Sequence, residues 1–113
     1  MELITVNLKY ESPSVELAIA NMEIEIEIAK KCGVGLIKFI HGYGSHGVGG
    51  AILLAVRNRA RELKKQKHIK DYFSGEEWAL SNSKRFELIS SVSNLYGDED
   101  LNHSNPGITF VVI

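Results

Sequence analysis

The sequence contains a single cysteine, Cys32, and only two prolines in 113 residues. One cysteine excludes an internal disulfide and any cysteine-based zinc site, which fits a reducing compartment. No apolar run reaches about 18 residues, so no membrane-spanning helix is expected, and Met1 is not followed by the basic and apolar regions of a secretory leader. Neither sign of charge dominates, with 13 Lys and Arg against 14 Asp and Glu. The net charge of -1 argues against coating of nucleic acid by the whole surface and leaves a local patch to be sought along the chain. What is present is ordinary for a globular protein, 44% hydrophobic and 24% charged residues. These features point to one cytoplasmic domain without a membrane partner, long enough to bury a two-layer core.

Periodicity supplies the elements. From Leu3 to Leu8, Ile4, Val6 and Leu8 alternate with Thr5 and Asn7, as in a half-buried strand. Ser12-Pro13-Ser14 then opens a helix with a serine cap and a proline tolerated in the first turn. Met22 to Ile28 alternates strictly with glutamate and in isolation would read as a strand. In the wider window Val15, Ile19, Met22, Ile26 and Ala29 share one helical stripe, so a helix over Ser14 to Lys31 is expected, ended by Gly33 and Gly35. Leu36 to Ile40 is nearly all apolar, which suits a central strand buried on both faces.

The stretch from Leu36 to Gly50, L-I-K-F-I-H-G-Y-G-S-H-G-V-G-G, carries the strongest chemical signal. A strand enters a glycine-rich turn with two histidines, and a helix follows. Such a turn brings backbone N–H groups close to a ligand, and the helix start adds unpaired amides, a combination suited to phosphate. The helix is expected over Gly49 to Lys65, burying Ile52, Leu53, Val56, Ala60 and Leu63. Its other side presents Arg57, Arg61, Lys64 and Lys65, with Arg59, Lys67 and Lys70 nearby and only Glu62 to balance them. A charged helix face is commonly just solvated; the glycine loop on the same helix is what favours phosphate binding.

His68 to Phe73 reads as a third strand and Ile108 to Ile113 as the last, after the Asn105-Pro106-Gly107 turn. The segment from 74 to 104 is too long for a simple connection and is expected to be a partly helical insertion. Within it Lys84 to Val92 suits a short helix burying Phe86 and Ile89, with Trp78 anchoring the segment to the core. Asp98, Glu99, Asp100 and His103 are a weak hint of a hard-metal site, and a solvated acidic loop is the simpler reading.

Gly42, Gly44 and Gly47 satisfy G-x-G-x-x-G, but the chain is short for a dinucleotide domain and no acidic residue follows at the expected spacing. Instead F-I-H-G-Y-G (Phe39 to Gly44), G-G-A-I-L-L-A-V (Gly49 to Val56) and the terminal N-P-G-I-T-F-V-V-I resemble the Smr (small MutS-related) domain family, known for an H-G-x-G loop and a final G-x-T-x-V strand. The resemblance spans the chain apart from the insertion. It implies an α/β two-layer sandwich with a four-stranded mixed sheet and two main helices, β-α-β-α-β-(insertion)-β, similar to the C-terminal domain of translation initiation factor 3. It also implies DNA or RNA binding, with nicking endonuclease activity in some members, and places His41, Gly42 and Gly44 on the active or binding surface.

The family's L-D-x-H-G motif aligns with Leu8-Lys9-Tyr10-Glu11-Ser12, so Lys9 stands in place of the aspartate and Glu11 in place of the histidine. A protonated lysine neither accepts a proton nor binds a metal. This sign change favours binding over hydrolysis. The expected nucleic-acid surface comprises His41, Gly42, Tyr43, Gly44, Ser45, His46 and Gly47 of the loop, Lys9, and Arg57, Arg61, Lys64 and Lys65. His41 would contact phosphate as the imidazolium or transfer a proton, or else fix the loop backbone; Tyr43 would stack on a base or sugar. The alternatives are a weak nuclease using His41 and Glu11, a protein-interaction module acting through the insertion, and a nucleotide-binding protein; no cofactor is expected, except a divalent metal such as magnesium if the domain is a nuclease.

Overall fold

A computed structural model describes residues 2–11, 14–42, 49–79, 81–82, 85–94 and 97–113, leaving out the side chains of Tyr10 and Glu11. Strand β1 (Leu3–Asn7) passes into a single helical turn, α1 (Leu8–Glu11), then helix α2 (Val15–Cys32), strand β2 (Leu36–Ile40) and helix α3 (Gly49–Lys65). Strand β3 (Asp71–Ser74), a 3₁₀ turn (Gly75–Glu77), the short helix α4 (Phe86–Ser90) and strand β4 (Ile108–Val112) complete the order. The sheet order is β1-β2-β4-β3. β1 and β2 are parallel, while β4 runs antiparallel to both β2 and β3. The two crossovers progress in one direction across the sheet, so right-handed connections put α2 and α3 on the same face.

The alternating glutamates of α2 do not make a strand, because Ala18, Met22, Ile26 and Ala29 are the residues it buries. Ser14 caps the helix by accepting a hydrogen bond from Leu17 N, and Gly33, at φ 73°, ends it. β2 lies inside the sheet with Leu36 to Phe39 buried. Its alternation divides the core. Ile37 and Phe39 face α2 and α3 together with Val111, whereas Leu36 packs with Phe73, Phe110, Ile108 and the insertion on the other side.

Three expectations need correction. Leu8 leaves the strand: Asn7 Oδ1 accepts from Lys9 N at 2.9 Å, starting α1, and Leu8 is buried in the helix-side core. β3 begins at Asp71 rather than His68, because α3 closes with a turn in which His68 N donates to Leu63 O and Lys67 takes φ 64°. Phe86 is not buried but 54% exposed; α4 is one turn long and directs Ile89 at the sheet instead.

The insertion covers the sheet face opposite the helices. Trp78 is fully buried, stacked 4.6 Å from the Phe110 ring, and Phe110 stacks 4.8 Å from Phe73. The acidic segment is a solvated loop only at Glu99 and His103, which are exposed. Asp98 and Asp100 form ion pairs with Lys38, a β2 residue only 2% exposed, and Asp98 also accepts from Trp78 Nε1 at 2.6 Å. Burial lowers the Lys38 pKa, but the hydrogen bonds and charges of Asp100 and Asp98 outweigh it and hold it above the ordinary lysine value. A buried ammonium with two carboxylates is thus a charged core, tolerable because each charge is paired and hydrogen-bonded.

Candidate nucleic-acid interface

The carboxyl ends of β1 and β2, where ligands of open α/β sheets commonly bind, carry the residues singled out in the sequence. His41 follows β2 and is fully buried. Its Nδ1 lies 2.7 Å from the Gly42 carbonyl and its Nε2 lies 2.8 Å from Thr109 Oγ1. A carbonyl only accepts, so Nδ1 bears the proton, and Nε2 of the neutral ring accepts from the Thr109 hydroxyl. Burial pushes the His41 pKa down to about 4; the Gly42 carbonyl opposes the shift and the Arg57 charge reinforces it.

Thr109 therefore donates to His41 and accepts from Arg57 Nε at 3.3 Å. Arg57 also donates through Nη2 to the Pro106 carbonyl at 3.0 Å. On the other side of this chain of contacts, His41 N and Gly42 N both donate to the Gly107 carbonyl, at 2.9 and 3.0 Å. The H-G turn after β2 and the N-P-G turn before β4 are thereby clamped together, with His41, Thr109 and Arg57 as the rivets. Thr109 was not among the expected site residues; the G-I-T-F-V pattern of the last strand was the available signal.

Gly42 has φ 76°, a left-handed conformation that favours glycine. A Cβ built there would sit 3.4 Å from Cδ and Cε of Lys9. The Lys9 side chain thus lies against the turn, and together with Arg57 gives the sheet's carboxyl edge a positive field. The imidazolium contact expected of His41 does not agree with this geometry: the ring is neutral, buried and engaged at both nitrogens. A divalent metal here would meet the Lys9 and Arg57 cations rather than carboxylates, so the described residues do not fit a metal centre. Tyr43, Gly44, Ser45, His46 and Gly47, and the Glu11 side chain, lie outside what the structure describes.

The basic face of α3 is more divided than the sequence suggests. Arg57 is half-buried in the clamp, and Lys64 pairs with Asp71 at 3.0 Å. Arg59 is held by Glu23 of α2 as well as by Glu62. Arg61 donates to Asn58 at 2.8 Å on the same exposed face, and Lys65 is exposed.

The fold has a counterpart among solved structures. The crystal structure of the Smr domain of Thermus thermophilus MutS2 aligns with TM-score 0.56 at 15% identity, covering 99% of this chain and 96% of that one. The fold is that of an Smr domain. No protein-family model and no curated protein matches the sequence. The Smr-type sheet explains why the H-G turn and the last strand, 68 residues apart at the His41–Thr109 bond, meet at one edge. Among the described residues no helix is long and apolar enough to cross a membrane.

Proposed function

We propose that this Smr-type domain binds nucleic acid through its phosphates, without cutting it. The observation that carries this reading is the Lys9 side chain laid against the positive-φ turn at Gly42, with a second cation, Arg57, fixed by Thr109 and Pro106 at the turn clamped to it. Two cations at the edge of a clamped turn make a phosphate seat, and the two Arg57 bonds occupy two of its five N–H donors. Arg61 and Lys65, further along α3, extend the positive track. Phosphate contacts position a strand without reading bases, so selection is by the shape of the nucleic acid rather than its sequence.

His41 serves this reading as a positioning residue. Its two hydrogen bonds set the turn on which Lys9 lies and orient the Thr109 hydroxyl that receives Arg57. A general base must reach the proton it removes, whereas His41 Nε2 is already occupied by Thr109. Lys9, in the place of the family's aspartate, supports binding over hydrolysis.

The test is anisotropy titration against single-stranded, duplex and branched DNA and RNA across a range of salt, with magnesium added in a parallel set inspected for cleavage. Affinity is expected to fall with salt, and Lys9→Ala is expected to remove roughly one counterion, about 0.7–0.9, from the logarithmic salt slope. Salt-independent or absent binding, or cleavage that requires His41, would defeat the proposal.

A further inference from the structure

We propose that the helix face of this protein pairs with the helix face of a second copy, α2 of one protomer lying on α3 of the other. α2 carries Leu17, Ile24 and Ile28, which are 49%, 55% and 47% exposed, on one stripe. At 100° per residue these three lie within a narrow arc pointing away from the sheet. Three large apolar side chains in line on one helix form a patch rather than scattered exposure.

The neighbouring helix supplies the complement. Leu54 of α3 is 63% exposed, and the same helix face presents Arg61 and Lys65, whose long aliphatic stems can cover apolar surface while their charges stay hydrated. Up to Glu27, α2 is flanked by glutamates, Glu16, Glu25 and Glu27; its last turn is basic, with Lys30, which pairs with Glu27 at 3.7 Å, and Lys31. One helix layer therefore has an acidic-apolar half and a basic-apolar half, which makes it self-complementary under a two-fold operation.

Only one of the simple two-folds uses this complementarity. An axis across the helices sets α2 on α2, glutamate against glutamate. An axis along them sets α2 on α3 of the other copy, twice. α2 and α3 run in the same direction, because β1, β2 and β3 are mutually parallel. Their relative height is fixed by the Arg59–Glu23 ion pair. An axis along the helices preserves height, so Leu54 arrives beside Leu17, and Arg61 arrives level with Ile24 and Glu25. A cleft of about 210 Å³ between the helices, lined by Ile26, Leu63 and Glu23 among others, gives the face the relief to interlock.

An 18-residue helix is about 27 Å long, and two helices spaced about 10 Å apart present a face of roughly 540 Å² in projection, below the roughly 800 Å² per partner of standard stable complexes and suited to a weak dimer. Lys9 and Gly42, at the carboxyl edge of the sheet, are not on this face, so the pairing leaves the phosphate seat open, but it covers Arg61 and Lys65 and therefore competes with nucleic acid for the track that extends from the seat.

Sedimentation of the intact protein, free of nucleic acid, tests the pairing. The parent is expected to dimerise in the micromolar range, and Ile24→Glu to remain monomeric with an unchanged circular dichroism spectrum. Glu25→Arg and Arg61→Glu should each weaken self-association at least about tenfold, as like charges are brought together. When these two variants are mixed, the heterodimer should form, since each contributes the charge the other lacks. A monomeric parent, a dimer indifferent to Ile24→Glu, or two charge variants that fail to associate when mixed would overturn the proposal. Nucleic-acid affinity of Lys9→Ala reports on the phosphate seat separately.

Discussion

The two faces of the sheet are built on different principles. The helix face is a continuous apolar core in which Met22, Ile26, Val56 and Ala60 meet Ile37, Phe39 and Val111. The opposite face has little regular structure above it. It is held by an aromatic stack of Trp78, Phe110 and Phe73 and by Lys38 between two aspartates. The first face needs only the right stripe of hydrophobic residues, and many sequences would satisfy it. The second depends on individual partners, because a buried ammonium is stable only where its carboxylates arrive.

The difference predicts unequal sensitivity to single changes. Trp78→Ala should have the largest effect, about 3–5 kcal/mol from lost burial, toward the upper end because Asp98 also loses its indole donor. Chemical denaturation followed by circular dichroism measures it. In the parent protein, Trp78 fluorescence reports on the insertion face and the far-ultraviolet signal mainly on the helices. The two transitions should coincide, since both layers pack on β2 and β4; separate midpoints would show that the insertion unfolds independently.

Lys38→Met should cost roughly 3 kcal/mol, by leaving Asp98 and Asp100 without their cation. Adding Asp98→Asn and Asp100→Asn to the same chain should recover most of that loss in the same denaturation experiment. Failure to recover would mean that the ion pairs contribute something beyond neutralisation.

His41 sharpens the contrast on the helix face, where it is the buried titratable group among the described residues. Its pKa, about 4 in the fold against 6.5 when free, means that the unfolded chain binds the additional proton between those values. Its contribution to stability is therefore present above about pH 6.5 and is lost as the pH falls toward 4, by about 3 kcal/mol at most. His41→Gln should flatten the stability profile in that window. The acid loss from Asp71 and Asp100 lies in a lower window, since both carboxyls are held below their ordinary value: burial opposes this, but Arg85 and Lys64 at Asp71, and Asn105 and Lys38 at Asp100, prevail.

The smallest effect is expected at the edge shared by the two turns. Lys9→Ala should reduce nucleic-acid affinity only several-fold at moderate salt while leaving the melting temperature unchanged, because Lys9 is exposed and its contact with phosphate is electrostatic. A large loss of stability would make Lys9 part of the turn's architecture instead.

The sequence by itself determined the regular half of this protein. The stripes of α2 and α3, the apolar run of β2 and the turn before β4 are local patterns, and a period of 3.6 or an unbroken apolar run is written in consecutive residues. The serine cap and terminal glycine of α2 were legible for the same reason. The H-G turn was recognisable from its glycines, and Gly42 does adopt the left-handed backbone that only a few residues tolerate.

Tertiary structure decided what consecutive residues cannot encode. Lys38 looked like a polar interruption of a strand and Asp98 and Asp100 like a solvated loop, yet they are 60 residues apart at their nearest hydrogen bond and meet in the core. His41 could be read as a phosphate contact, a proton carrier or a residue fixing the loop backbone, and its partners Thr109 and Arg57, brought from distant elements, decide between them. The apparent basic stripe of α3 was divided by Glu23 and Asp71, which approach from other elements. In each case the role of a charged or titratable side chain depends on whether a distant partner removes it from water, and the fold alone brings that partner into place.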